Sequence, residues 1–457
     1  MVLAAAFATV GAQAQEALPA PSGNPMQIDF QSDPVLQLRF READTVAFQA
    51  LLIEALARHP IRAEAAALQD EAVALLAEAR EARLPTVDAA ITSYRVIARE
   101  FSNDPDNLLE RARPTQRTDA TLEVQQTVVD FGAGTSRVRA GSARLRAAAL
   151  DVEAASDRVV LNAIAAWYDV FAYRALVGIS EAFLASQRDL RSSVEMRIRE
   201  GVSAEGDLAR IDSQIAQTQT RLARFRRVLA NAEARFTELA GTPPPPLLKR
   251  APTLPPLLDE REEVIEAALT TAEVRSAEAR ADAARLDARA ARADRLPKLG
   301  LSLDAGRYGV FETDRDYDIR GRLTLRHRIF GGVDTRVAQA EARARATDAR
   351  TDRIREEAAR DAAIAWSDVQ ALEQQLEALE AAYVASRRSR DVILERFRVA
   401  RGTLFDVMAA EEVYFASATA YIEALTELDA ARYVLLSRSG RLLDRLGVPP
   451  DQYGVQG

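Results

Sequence analysis

The chain has 457 residues and no cysteine. That excludes disulfide staples, thiolate catalysis, cysteine-based metal sites and a lipid anchor on an N-terminal cysteine. Histidine is nearly as scarce. His59 precedes a proline near a helix start and His327 falls on a strand pattern, so the two offer no metal-ligand spacing. Gly132-Ala133-Gly134 lacks the later glycine and the Lys-Ser/Thr of a phosphate loop. No catalytic site, metal or cofactor is therefore expected. No run of about 18 apolar residues occurs, so no helix is expected to span a bilayer. Lysine is confined to Lys249 and Lys298, and a net charge of −8 argues against a nucleic-acid partner. Aromatics make up only 6% of the chain while charged residues reach 28%. Together with long tracts of Ala, Leu, Arg and Glu, this points to long helices rather than compact globules.

What the chain does have is a duplication. Its two tryptophans, Trp167 and Trp366, stand 199 residues apart. The same offset links Arg137-Val138 to Arg336-Val337, Asp169-Val170 to Asp368-Val369, Asp207 to Asp406 and Gly241 to Gly440. Arg-Leu-Pro recurs at 83–85 and 295–297, an offset of 212. A segment between these landmarks is thus longer in the first half. Each half reads as one structural unit that needs its twin.

The chain parses into a leader at 1–14, an extended arm at 15–45, repeat 1 at 46–241, a Pro-rich connector at 242–260, repeat 2 at 261–447 and a tail at 448–457. The leader resembles the apolar region and Ala12-Gln13-Ala14 cleavage site of a secretory signal, though without a basic start; a plain apolar tail is the other reading. Within each repeat a helix (about Val46 to Arg83, and about Glu262 to Arg295) ends at Arg-Leu-Pro, because the residue before proline is pushed out of the α region. The period then changes from 3.6 to 2. Leu299, Leu301, Leu303 and Ala305 alternate with Gly300, Ser302 and Asp304, and Ile319, Leu323, Leu325 and Ile329 return against arginines and Thr324. Val87, Ala89 and Ile91 lead out in the first half, and Leu122, Val124 and Val128 return. These are strands with one apolar and one polar face. The polar turns between them, with their flanks, hold the difference in length.

After Gly134 there is no proline and hardly a glycine to about Glu200. Roughly 60 helical residues would be about 90 Å long. Val138, Leu145, Val152, Val159, Ala166 and Tyr173 recur every seven residues beside a mostly small seam, the pattern of a long, closely packed helix. A break follows near Gly201, and near Ala400 to Gly402, before a second helix returns. The fold class expected is mainly α with a small β part, internally duplicated, in long helical hairpins with four strands. Four strands cannot close a membrane barrel, which needs about eight or more, and lipid does not tolerate an open sheet edge. If these strands lie in a membrane, several chains must pool them.

Asp207 and Asp406 lie a few residues beyond the two breaks. They read either as acids favourable to a helix N-terminus or, in an assembled tube, as a carboxylate ring that biases cation selectivity.

Four stretches together resemble the TolC family of outer-membrane channel proteins: Glu54 to Pro60 continuing to Arg83-Leu84-Pro85, Val124 to Gly132, Arg197 to Asp207, and Arg396 to Glu411. The resemblance covers about Val46 to Gly447. It implies a homotrimer whose pooled strands form a 12-stranded outer-membrane β-barrel on a trans-periplasmic helical barrel, contacting outer-membrane lipid. It further implies a periplasmic adaptor and an inner-membrane ABC or other pump as partners. Gly201, Val202 and Ser203 match the adaptor-contacting tip; in the second half the glycine position falls at Ala400 and the glycine shifts to Gly402. Asp406 matches the first carboxylate of the family's aperture, and the second would fall at Ala409, where it is absent. Arg401 joins Asp406 and Asp207 as a gate candidate by proximity. Gly402-Thr403-Leu404-Phe405-Asp406-Val407 and Tyr168-Asp169-Val170 are similar to type I secretion members. The expected function is thus the outer-membrane conduit of a tripartite exporter, serving protein secretion or, alternatively, multidrug efflux. A soluble periplasmic coiled-coil scaffold or adaptor is the rival from another class.

Overall fold

The computed structural model describes residues 18–22, 25, 27–201, 203–254, 260–313, 316–399 and 401–448. The expected leader and the tail beyond Val448 lie outside them. The chain divides into two compact units. One comprises Met1–Glu64, Val152–Ala272 and Glu356–Gly457; the other comprises Ala65–Asp151 and Glu273–Arg355. Each unit takes segments from both sequence halves.

The helix expected from about Val46 to Arg83 is two helices, α2 (Thr45–Arg58) and α3 (Pro60–Glu81). His59 between them is extended, at φ −74° and ψ 127°, as Pro60 demands. Its Nδ1 accepts a hydrogen bond from the Ile61 N–H at 3.2 Å. The second half breaks too, between α7 (Arg261–Ala268) and α8 (Ala272–Ala293), but without a proline. Thr270 and Thr271 hydroxyls instead donate to the Ala267 and Ala268 carbonyls and cap the ending helix. The arm is not wholly extended either: Asp33 caps a short helix, α1 (Pro34–Gln37), accepting from the Val35 and Leu36 N–H groups.

The sheet-bearing unit holds β1 (Thr86–Arg95), β2 (Gln116–Val129), β3 (Lys298–Arg307) and β4 (Tyr317–Arg326), antiparallel in the order β1-β2-β3-β4. His327 and Ile329 lie just past β4 rather than on it. The β1–β2 connection, 96–115, carries a short helix, α4 (Leu108–Ala112), whereas β3 and β4 are joined by the shorter 308–316. Most of the length difference between the halves lies here. Thr118 donates to the Glu312 carboxylate from both its N–H (3.1 Å) and its hydroxyl (3.2 Å), tying the ends of the two hairpins together.

Register sorts the side chains by chemistry. Val87, Val124 and Leu303 are successive partners across three strands, and Gln126, Leu301 and Leu323 follow one level on. The opposite face carries Asp88, Glu123, Asp304 and Arg320 in one row and Thr86, Gln125, Ser302 and Arg322 in the next. The apolar face is open: Ile91 is 79% and Leu325 71% exposed. Elsewhere in this unit α8 packs through alanine. Ala284 and Ala288 meet Ala340 and Ala344, small enough for helix axes to approach closely. Arg144–Asp287, Arg280–Asp151, Arg285–Asp348 and Arg355–Glu278 ion pairs flank these contacts.

The helical unit is built from four long segments: the later parts of α5 (Ala133–Arg199) and α9 (Val333–Arg398), with α6 (Glu205–Ala240) and α10 (Leu404–Arg438) returning. The heptad expected from sequence is its seam, since Val152, Ser156, Val159, Ala163, Ala166 and Val170 are all buried. Trp167 packs edge-on to Phe48 at 5.1 Å and donates its indole N–H to the Lys249 carbonyl at 2.8 Å. Its repeat equivalent, Trp366, is half-buried against Val264, Ala268 and Ala362. A bidentate, buried Arg250–Asp429 pair ties the Pro-rich connector to α10. Tyr383 and Arg387 likewise hold Asp33 of the arm against α9.

Candidate functional site

The turns joining α5 to α6 and α9 to α10, with the first turns of α6 and α10, carry every residue singled out as a gate or partner contact. Val202 and Ala400 lie outside the described residues. The first turn is made by Gly201, left-handed at φ +73°, whose N–H donates to the Ile198 carbonyl at 3.0 Å. Glycine adopts this conformation without penalty. Ala204 starts α6 with no side-chain cap, so the first-turn acids Glu205 and Asp207 supply the charge favoured at a helix N-terminus. Asp207 is half-buried, 3.9 Å from Arg210. Ser203 is half-buried beside it.

The second turn is built differently. The Arg401 N–H donates back to the Arg396 carbonyl at 2.8 Å, closing the end of α9, and Gly402 packs near the Phe397 backbone. Thr403 and Asp406 form a reciprocal capping box. The Asp406 N–H donates to Thr403 Oγ1 at 3.2 Å, and the Thr403 N–H and hydroxyl donate to Asp406 Oδ2 at 3.3 and 2.7 Å. Asp406 and Arg401 are both exposed. Asp406 is thus solvent-facing while its carboxylate is oriented along its own helix start. The two halves use equivalent acids in unlike ways.

Residues not singled out from sequence hold these turns together. Leu190, Val194, Ile211, Leu394, Phe397, Leu404 and Val407 form one buried cluster drawn from all four helices. Arg197 donates to the Phe397 carbonyl, with its guanidinium carbon 3.9 Å from the Phe397 ring centre. Deeper in, Arg221 grips Glu412 through both Nη atoms, at 2.6 and 2.8 Å, and Gln214 adds a third bond at 2.7 Å. Glu411 points the other way, is 3% exposed and accepts from the Ser186 hydroxyl at 3.1 Å. Burial pushes its carboxyl above the usual glutamate range, against the pull of Ser186 and Arg390. Beside it a cleft of about 640 Å³ opens between α5 and α9, with Leu18 to Pro21 of the arm along its rim. Sequence gave these residues only as members of helix faces; which face meets which is tertiary information. Among the described residues no group of three or more His, Asp or Glu side chains is placed to hold a metal ion. No described helix is long and apolar enough to cross a membrane.

Comparison with known proteins bears on what these features serve. The BepC outer membrane efflux protein of Brucella suis biovar 1 is 21% identical over 345 residues, covering 74% of this chain and 76% of that protein. The structure of VceC from Vibrio cholerae superposes with a TM-score of 0.78 at 19% identity, covering 88% of this chain and 97% of that one. The CmeC channel of Campylobacter jejuni superposes with a TM-score of 0.76 at 15% identity, covering 93% and 94%. The family model described as outer membrane efflux protein matches residues 51–242 and 265–441, most of both repeats. The chain therefore belongs to the outer membrane efflux protein family, TolC-like channel proteins of the outer membrane with a periplasmic helical part.

Proposed function

We propose that three copies of this chain pool their sheets into one twelve-stranded barrel and serve as the outer-membrane conduit of a tripartite exporter. The observation that carries the reading is the sheet itself. Its four strands are antiparallel, apolar on one face and polar on the other, and β1 and β4 each have one neighbour only. An unpaired edge in lipid leaves backbone groups unsatisfied, at several kcal/mol each by rough estimate. Pairing β4 of one copy with β1 of the next removes both edges, and the exposed Leu and Ile side chains then face acyl chains. Asp88, Glu123, Asp304 and Arg320 line the inside, where water can solvate them.

The turns at 200–204 and 399–403 are the mouth. Gly201, Val202 and Ser203, with Ala400 and Gly402, meet a periplasmic adaptor, and an inner-membrane pump supplies the energy. Asp406, Asp207 and Arg401 set the charge of the opening. The chain performs no chemistry on its cargo. Gly402 to Val407 and Tyr168 to Val170, similar in sequence to secretion members, favour type I protein secretion. The name of BepC as an efflux protein favours small-molecule efflux as the second reading.

Detergent extraction from outer membranes followed by mass measurement and single-particle imaging tests the assembly. A trimer with one barrel is expected; a soluble monomer or dimer would overturn it. A deletion strain decides the cargo. Loss of a secreted polypeptide with unchanged drug susceptibility supports secretion, and the converse supports efflux.

A further inference from the structure

We propose that the cleft beside Glu411 is a binding site for a protonated amine carried on an apolar body. The site lies wholly within the helical unit and is independent of the sheet and its edges.

Size and walls define the body of the ligand. The cleft holds about 640 Å³, within the range of roughly 300–1,000 Å³ that small-molecule sites occupy. Phe183 and Leu190 of α5 and Leu394 and Phe397 of α9 give it apolar walls, and α10 adds the Tyr414 ring. Such walls favour an apolar group over water.

Charge defines the head group. Among the described residues the cleft is lined by three arginines and three carboxylates, and the two sets are not equivalent. The arginines are already engaged. Arg390 is buried, meets Asp391 at 2.6 Å, donates to the Pro19 carbonyl at 3.3 Å and stands 4.2 Å from the centre of the Tyr414 ring. Arg197 donates to the Phe397 carbonyl and covers the Phe397 ring. Arg398 meets Glu395 at 3.5 Å. The cleft therefore offers an anion little. Asp189, Glu200 and Glu411, by contrast, form no ion pair among the described residues.

Glu411 is the group that a ligand would complete. It is buried, yet the one hydrogen bond it receives among the described residues runs from the Ser186 hydroxyl to Oε1. Oε2 is left without a donor. A buried carboxylate short of donors is costly to ionise. An ammonium entering the cleft supplies both the opposite charge and N–H donors. A divalent metal ion does not fit, because it needs several oxygen ligands at once. Among the described residues no group of three or more His, Asp or Glu side chains is placed to hold one.

Pairing with a cation requires Glu411 in its ionised form. Around it stand Ser186 and Asp189 from α5, Arg390 with its partner Asp391 from α9, and Tyr414 from its own helix. Arg221 of α6 is turned to Glu412 instead. Burial raises the Glu411 carboxyl, so protonation removes the partner and affinity for the amine falls as pH falls through the raised value.

Naphthylmethylamine tests the site, with naphthalenemethanol and naphthoate as neutral and anionic counterparts of the same shape. Binding is measured by calorimetry on the full-length protein in zwitterionic lipid nanodiscs, with empty discs as the blank. At about pH 7.5 the amine is expected to bind roughly tenfold tighter than either counterpart. Glu411→Gln should weaken it roughly tenfold and remove the loss of affinity that the unsubstituted protein shows on going to about pH 5. Ser193→Phe narrows the cleft without touching a carboxylate and should abolish binding. It keeps the site testable should Glu411→Gln not fold. Equal binding of the three compounds, no binding of the amine, or amine binding that either substitution leaves unchanged in folded protein would overturn the proposal.

Discussion

The two units treat large apolar side chains in opposite ways. In the helical unit Phe48, Phe236, Tyr383, Tyr414 and Tyr421 are among the most deeply buried residues of the chain. In the sheet Ile91, Ile319, Leu323 and Leu325 stand largely exposed. Both patterns obey one rule, that apolar surface leaves water. The helical unit satisfies it with its own core; in the proposed assembly the sheet satisfies it with acyl chains and with further copies. The difference teaches which surface belongs to which solvent.

That contrast can be broken from either side. The largest effect is expected in the helical core. Arg250→Met leaves buried Asp429 with only the more distant Arg432, at 3.8 Å, and removing one member of a buried pair typically costs about 3–5 kcal/mol. Chemical denaturation of the detergent-solubilised protein measures it. On the sheet, Leu323→Arg should cost about 2–4 kcal/mol of stability in bilayers, whereas Thr324→Arg on the polar face should change stability by less than about 0.5 kcal/mol. Equal effects at the two positions would remove the distinction between faces.

At the tip, Thr403→Ala removes the capping box and should cost about 1 kcal/mol. Ser203→Ala should cost less, because α6 has no side-chain cap to lose. Asp406→Ala is expected to lower the cation selectivity of reconstituted channels, and unchanged selectivity would leave Asp406 as a helix cap alone. The smallest effect concerns pH. Burial raises the Glu411 carboxyl in the folded protein, so its protonated form is the one the fold prefers. That contribution is complete below the ordinary glutamate range and is lost as pH rises through the raised value. Glu411→Gln, which keeps an acceptor for Ser186, should therefore raise the melting temperature at pH 8 and have little effect at pH 4.

The strands were legible because a sheet with two solvents must alternate, and Leu299 to Ala305 does so residue by residue. The expected helix ran through Pro60 because apolar residues at helical spacing continue on both sides of it, although proline itself breaks the helix locally. The break at 269–271 was hidden too, since threonine hydroxyls close that helix and threonine is ambiguous in sequence. Helix α1 escaped notice because four residues carry no period; Asp33 and its contacts with Tyr383 and Arg387 hold it. At the candidate site Asp207 and Asp406 stood out by position. Arg197, Arg221 and Glu412 did not, because a charged residue on a helix reveals its face but not its partner. Phe131, which takes a left-handed φ of +50°, was hidden for a related reason, since the sequence Asp-Phe-Gly does not declare which residue adopts that conformation.

The pooling of strands between copies is tested most directly by disulfide trapping. Within one chain β1 and β4 are three strand spacings apart, about 14 Å, too far for a disulfide, which needs Cα atoms within about 7 Å. Any bond formed between them must join two copies. Ala90→Cys on β1 is combined in turn with Asp318→Cys, Arg320→Cys, Arg322→Cys and Thr324→Cys on the same face of β4. One or two neighbouring combinations should give covalent dimers and trimers on denaturing gels after oxidation in the membrane. Monomer alone in every combination, from protein that remains folded and membrane-inserted, would contradict the shared barrel.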